Sequence, residues 1–532
     1  MREAKQQIAN LRTTPHGSPA AFSIARASIA AAALMLLACL DANGDPLIVQ
    51  IEQGKVQGKQ INHGAVEAYL GIPYAAPPIG PLRWAPPQPP LPWHGVMAAS
   101  RYGHRCMHGP PGGEAQFQDA SASEDCLSLN VFVQSRSTAA AKLPVMFWIH
   151  GGRYKSGGSS EARLNGDFLP GKGIVLVTIN YRLGVFGFLA LPELSAERGG
   201  RSGNYGLMDM VAALQWVQSN IHAFGGDPSK VTIFGESSGS FAVSTLMAIP
   251  SARGLFHRAI GQSGSALAQG YETLDRRGPS DEKLSQALGL ETTEQLRAVP
   301  AAEILQAAAQ AQMYFGPVID GSFIREPLSS TYLAGRQMDV PLLAGFNRDE
   351  GGPPPSGMTV WRWRVFALRR FRTNALEFLA LYPCGNDADA RRSAADFNGD
   401  SFISYGTWKW MEYHRKTAHN PIYRYRLDLA APASKFHPEE IAFHSDDIEY
   451  VFGTLDTRSG AVWRDSDRRL SEQIMSYWTN FAKTGNPNGP GLPTWPTYAK
   501  SDPVLHLDDP ISVRPDEHRA RYAFLRQMEA SR

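Results

Sequence analysis

Short, densely apolar runs recur through the middle of the chain: Leu129 to Val133, Val145 to Ile149, Ile174 to Ile179 and Val231 to Phe234. Runs of this length without polar alternation are the pattern of strands covered on both faces. Between the last two, Leu207 to Ile221 has amphipathic helical spacing and stops at Phe224-Gly225-Gly226-Asp227-Pro228. Buried strands alternating with helices predict an α/β fold, a mostly parallel central sheet with helices on both faces. Leu47 to Gln57 and Ala65 to Tyr69 alternate and predict short entry strands, and Val340 to Phe346, Ile422 to Leu427 and Val504 to Leu507 predict later ones. Asp281 to Gln312 reads as two or three short helices. Helices of the second half are expected to cap the strand ends, where sheets of this kind place their ligands.

Directly after the run ending at Phe234 comes Gly235-Glu236-Ser237-Ser238-Gly239, followed by the helix-compatible stretch Ser240 to Met247. Strand, glycine-flanked serine and helix together predict a nucleophile elbow. Such a turn strains the serine backbone and brings strand and helix close, so only small residues fit two positions either side.

With 532 residues, a net charge of +2, no long linker and no repeat, the body of the chain is expected to be one large domain, residues 43–532. The near-balanced charge gives no reason to invoke nucleic acid. Residues 1–42 carry Arg2, Lys5, Arg12 and Arg26, then the apolar run Ala27 to Ala38, the pattern of an export signal with a long leading region. That run is too short for a membrane span. Cys39 offers a site for lipid attachment, whereas cleavage after Ala42 would release a soluble protein. Export permits disulfides. Cys106 and Cys126 enclose a Gly/Pro-rich loop and are the expected pair, leaving Cys384 free.

An alkyl hydroxyl needs a base within hydrogen-bond reach, and that base needs an orienting acid. His444, in a short polar loop between Ile441-Ala442-Phe443 and Asp447 to Phe452, is the preferred base over His437, whose setting is more polar. Glu350, just beyond the predicted strand Val340 to Phe346, is the preferred acid, with Asp349 and Asp320 as alternatives by position. The order Ser, acid, His matches the hydrolase arrangement in which these groups arrive from successive strand ends. His150-Gly151-Gly152-Arg153-Tyr154 follows another buried strand, and its glycines let backbone amides approach a substrate. Gly152, Arg153 and Ser238 are the expected oxyanion donors.

These motifs together resemble the type-B carboxylesterases, the family that includes the cholinesterases, on the α/β-hydrolase fold. The resemblance runs from Gly71-Ile72-Pro73-Tyr74-Ala75 through Ser123-Glu124-Asp125-Cys126-Leu127, Asn180-Tyr181-Arg182-Leu183-Gly184 and Gly203-Asn204-Tyr205-Gly206-Leu207 to Phe481-Ala482-Lys483-Thr484-Gly485-Asn486-Pro487-Asn488. It implies a serine esterase with a Ser237, Glu350, His444 triad and a Cys106–Cys126 disulfide, while the leader implies export, periplasmic or secreted. It favours Glu350 over Asp349, because the family's acid directly precedes a glycine, here Gly351. The resemblance implies a small-molecule ester substrate, and no sequence motif points to a metal or an organic cofactor.

Two departures stand out. Arg153 occupies a position where the family often has glycine or alanine, and Ser238 and Ser240 replace common alanine and glycine. A guanidinium beside the oxyanion loop is placed to hold a substrate carboxylate if it faces the pocket rather than solvent. The basic, aromatic stretch Trp361 to Arg372 is expected to be an amphipathic surface helix, the alternative being the mouth of the site. If both basic features face the pocket, esters of polycarboxylic acids become the expected substrates, as for the fumonisin-type esterases of this family, which release tricarballylic acid. The rival readings are a catalytically silent adhesion protein on the same fold, which usually lacks the serine, and an amidase or thioesterase using the same triad.

Overall fold

The computed structural model describes residues 47–109, 116–197, 199–268, 270–435, 437–499 and 501–531. The leader and Cys39 lie outside the described residues. Eleven strands form the central sheet: β1 (Lys59–Ile61), β2 (Val66–Pro73), β3 (Ser128–Gln134), β4 (Leu143–Ile149), β5 (Val175–Ile179), β6 (Gly226–Glu236), β7 (Arg258–Gln262), β8 (Leu342–Asn347), β9 (Ile422–Leu427), β10 (Pro503–Leu507) and β11 (Ser512–Pro515). Their order is β11-β10-β9-β8-β7-β6-β4-β5-β3-β2-β1. From β5 to β10 every neighbour is parallel, and both margins are antiparallel. Ile48–Ile51 and Gly54–Gln57 form a hairpin in a separate small sheet with Val96–Ala98.

The predicted strands fall on observed ones, except that Leu47 to Gln57 is a hairpin of two strands, and β7, Arg258–Gln262, lies outside the predicted runs because its polar ends leave too short an apolar run. Pro73 ends β2 rather than lying beyond it, and β6 begins at Gly226, so the helix-stopping segment is already strand. The early start of β6 is a single pairing, separated from the regular ladder by a register shift between Gly226 and Val231. β4 supplies the partner on one side of β6, pairing Gly226 with Leu143 and Gly235 with Ile149.

Helices relevant to the site are α1 (Tyr205–Asn220), α2 (Ser238–Leu246), α3 (Ala301–Gln310), α4 (Val360–Phe371), α5 (Asp387–Gly399), α6 (Tyr405–Thr417) and α7 (Asp465–Thr484). Alternating residues of a strand face opposite sides. On one side Met146, Trp148 and Phe234 pack with Leu470, Ile474, Trp478 and Phe481 of α7. Trp148 meets Phe234 and Phe452 edge-on, at centroid distances of 4.8 and 5.0 Å. On the other side α1, buried along most of its length, packs against β6. Among the described residues no helix is long and apolar enough to cross a membrane.

Cys106 and Cys126 are joined by a disulfide, and Cys384 is a buried free thiol. The bridge closes a loop of 20 residues' separation, a constraint that removes unfolded-chain entropy worth about 3 kcal/mol. Replacing both cysteines by serine is expected to lower the midpoint of urea unfolding by a corresponding amount under non-reducing conditions. Dithiothreitol should bring the wild type to the same midpoint, as followed by circular dichroism.

Candidate active site

The site is assembled at the C-terminal ends of the parallel strands. Ser237 follows β6 at φ 53°, ψ −124°, a left-handed conformation that a non-glycine residue adopts only under constraint. The constraint is visible on either side of it. A Cβ on Gly235 would stand 2.6 Å from the Ile149 carbonyl oxygen, and one on Gly239 would overlap the same oxygen. β6 and α2 therefore both lie against the end of β4, and the chain between them has no room for an ordinary turn. The Ser237 N–H donates to the Gln262 carbonyl of β7 at 2.9 Å.

His444 Nε2 lies 2.9 Å from Ser237 Oγ, and His444 Nδ1 lies 2.6 Å from Glu350 Oε2. The other Glu350 oxygen accepts the Asn347 backbone N–H at 2.7 Å. The loops carrying acid and histidine are fastened to each other just before these residues. Asp349 N–H donates to the Ala442 carbonyl, Ala442 N–H donates to the Asp349 carboxylate, and the Asn347 amide donates to the Phe443 carbonyl. Asp349 is thus a clamp between the loops, and it also pairs with Arg348 and Arg392. Asp320 instead caps a turn, accepting the amides of Ser322, Phe323 and Ile324. His437 packs against Phe443, and it is His444 that reaches Ser237.

The loop after β4 passes over Ser237. A Cβ on Gly151 would meet Ser237 Cβ at 3.1 Å, and Gly152, Arg153 and Tyr154 all have positive φ. Among the described residues the amides of Gly152, Arg153 and Ser238 have no hydrogen-bond acceptor. Tyr154 N–H donates to Ser238 Oγ at 3.2 Å, so the serine that replaces the family's common alanine ties this loop to the elbow. Ser240 donates to the Gly264 carbonyl at 2.6 Å.

A cavity of about 690 Å³ opens beside the site, and Gly152, Arg153, Lys155, His437 and His444 are among its lining residues. Leu305, Ala308 and Ala309 of α3 form part of an apolar wall, which agrees with the expected helical cap. Ser237 is 6% exposed and is not itself part of the lining; Gly152 and His444 flank it. Arg153 is exposed and is among the residues lining the cavity; its guanidinium is 6.0 Å from the Phe402 ring centroid, and that ring is 6.0 Å from the His444 ring. Phe402 is brought there by a π turn, Asp400–Ser404, between α5 and α6. Of the cations lining the cavity, Arg163 pairs with Glu161, and Arg458 with Asp446 and Glu449. Arg153 and Lys155 have no carboxylate of the described residues within ion-pair distance; Lys155 stands over the Tyr314 ring. The stretch Trp361 to Arg372 is helical, packs one face on the protein and does not line the cavity.

Residues 45–356 and 368–525 match the family described as the carboxylesterase family. The chain belongs to that family. Fumonisin B1 esterase of Sphingopyxis macrogoltabida is 35% identical to this carboxylesterase over 87% of this chain and 86% of its own length. Para-nitrobenzyl esterase of Bacillus subtilis (strain 168) is 34% identical over 88% and 96%. A solved PNB esterase structure matches with a TM-score of 0.78 at 33% identity, covering 89% of this chain and 98% of that one. The α/β-hydrolase fold and membership among carboxylic-ester hydrolases follow.

The electrostatics of the carboxylesterase site involve a residue that sequence reasoning passed over. Glu236, buried beside Ser237, stands 3.3 Å from His444 Nε2 and accepts from the Ser445 hydroxyl. Burial raises its own carboxyl above the ordinary range. Burial works against the imidazolium of His444, but the charges of Glu236 and Glu350 and the Glu350 hydrogen bond outweigh it and raise His444 from 6.5 to about 9. Glu236 was visible in the elbow motif, but nothing in the sequence says that its carboxylate turns back to the histidine. The His444 imidazole is expected to titrate near pH 9, and Glu236→Gln, which removes the first-named favourable charge, should move that titration lower. Nitrogen-15 histidine NMR measures both; an unmoved titration would show that Glu236 contributes no field at His444.

Proposed function

We propose that the protein is an exported serine esterase that works through an acyl-enzyme and prefers esters whose acyl part carries a free carboxylate. The observation that carries the catalytic reading is the unbroken hydrogen-bond line from Ser237 Oγ through His444 to Glu350. In this reading Ser237 Oγ attacks the ester carbonyl carbon as His444 Nε2 takes its proton. Glu350 holds Nδ1 protonated and stabilises the imidazolium that forms. The negative oxygen of the tetrahedral intermediate is met by the unengaged amides of Gly152, Arg153 and Ser238, preplaced and therefore not reorganised during reaction.

Collapse of the intermediate breaks the ester C–O bond, and His444 returns the proton to the departing alcohol. Water then enters, loses a proton to His444 and attacks the acyl-serine, and a second collapse releases the acid and restores Ser237. The step needs neutral imidazole, so turnover should climb with pH until His444 is deprotonated. The leader 1–42 is read as the export segment and 43–532 as the esterase domain, a reading the disulfide supports.

The acyl preference rests on Arg153. Arg153 is an exposed residue of the cavity lining with no carboxylate of the described residues within ion-pair distance, and Lys155 lies on the same loop. A substrate carboxylate can displace the weak contact with Phe402 and gain a charge-assisted, bidentate one. Of the two basic features on which the polycarboxylate expectation rested, Trp361 to Arg372 lies away from the cavity, so Arg153 and the relative named fumonisin B1 esterase are what support the comparison with tricarballylic-type esters.

Ser237→Ala should lower ester turnover by about 10⁴-fold or more while leaving the unfolding transition in place. Covalent capture of the wild type by a serine-directed phosphonate, mapped to Ser237 by mass spectrometry, is the companion measurement. Arg153→Gly keeps the amide donor and relieves the left-handed backbone strain. It is expected to cut kcat/KM by roughly 10- to 100-fold for an ester with a free acyl carboxylate, with little change for its neutral counterpart. Equal losses on both would assign Arg153 to the oxyanion loop alone.

A further inference from the structure

The match to the family is interrupted at one place, residues 357–367, and that gap takes in the N-terminal part of α4, from Val360 to Ala367. α4 has two faces. Trp363, Ala367 and Phe371 are buried, with Trp363 stacked on Phe366 at 5.0 Å and packed against Phe378 and Phe397. The Trp363 indole donates to the Tyr382 carbonyl at 3.1 Å, so this face is fixed.

The opposite face is unusual for a surface helix. Trp361, Val365 and Leu368 follow one another at i, i+4 and i+7, the spacing of a single stripe. Trp361 is 71% exposed and Leu368 60%, and Leu376 of the next helix, Ala375–Leu381, is 82% exposed. Arg362 and Arg369 flank the stripe on one side and Arg364 on the other, with Arg372 at the end, all exposed. None of these four has a carboxylate of the described residues within ion-pair distance; the Arg362 guanidinium donates to the Gly357 carbonyl.

We propose that this face of α4 is a docking surface for an anionic phospholipid bilayer. Arginines flanking the stripe meet lipid phosphates, while Trp361, Val365 and Leu368 enter the boundary between headgroups and acyl chains. Tryptophan is suited to that level, having an apolar ring and one polar N–H. A nucleic acid or an acidic protein would satisfy the arginines, but its charged groups give the exposed Trp361 and Leu368 and the half-buried Val365 between them nothing to pack against. The lipid surface satisfies both. Because the cavity is lined by other elements, docking leaves the ester site unobstructed by α4 itself.

The test uses the full chain and sedimentation with vesicles of phosphatidylglycerol and phosphatidylcholine in equal parts, against vesicles of phosphatidylcholine alone. Binding to the anionic vesicles is expected, and Arg362→Gln/Arg364→Gln/Arg369→Gln should lower the partition coefficient on the order of a hundredfold. Because the leader is common to all proteins compared, a local readout is added. Brominated acyl chains should quench wild-type tryptophan fluorescence more than that of Trp361→Phe. Turnover of a soluble ester should be the same in every variant, which reports an intact fold. Equal partitioning of the triple variant together with equal quenching in Trp361→Phe overturns the proposal. So does arginine-dependent binding to heparin or duplex DNA with no binding to vesicles.

Discussion

Everything at this site depends on how closely three backbone segments approach at the end of β4. Gly235 and Gly239 both lie against the Ile149 carbonyl, and Gly151 lies against Ser237. With β6, α2 and the loop after β4 in mutual contact, Ser237 is driven into its left-handed conformation and the amides of Gly152, Arg153 and Ser238 are left without an acceptor among the described residues. Strain and unsatisfied donors are normally defects in a buried place. Here they coincide around one hydroxyl, and the large apolar core on both sides of the sheet supplies the stability that tolerates them.

The second level of organisation holds the histidine. Glu350 and His444 come from different loops, and the isolated bridge between Asp349 and Phe443 brings these loops into register before either functional side chain is reached. His444 then sits between two carboxylates, Glu350 on Nδ1 and Glu236 near Nε2. The first fixes the ring. The second adds negative potential on the side from which Ser237 loses its proton, which favours imidazolium at the cost of keeping the resting base protonated at lower pH.

Much of this was legible in the chain. The apolar runs located most strands of the sheet because strands covered on both faces are largely apolar, whereas the central strand β7, Arg258–Gln262, with a charged and an amide residue in five, left no such run; the elbow was legible in its glycine-flanked serine, and only glycine fits beside Ile149. The proximity of Ser237, Glu350 and His444 could be ordered from strand ends and from family likeness, since the fold brings successive strand ends together. Side-chain direction was not legible. Asp349 and Glu350 are neighbours in sequence, yet one clamps a loop and the other reaches the imidazole, a difference set by the bridge to Phe443. Arg153 has Phe402, far along the chain, as its aromatic neighbour, and Glu236 meets His444 of a loop also remote in sequence. Long-range contacts of this kind leave no period or spacing to read.

The π turn at Asp400–Ser404 amounts to one residue more than an α-helix would hold over the same length. α5 and α6 on either side keep their own buried faces, and the surplus is taken up where Phe402 projects toward Arg153 and His444. A site of this design can therefore acquire a new aromatic wall by lengthening a helix rather than by exchanging a residue. Substrate range in such a fold becomes a matter of helix phase as well as of side-chain chemistry.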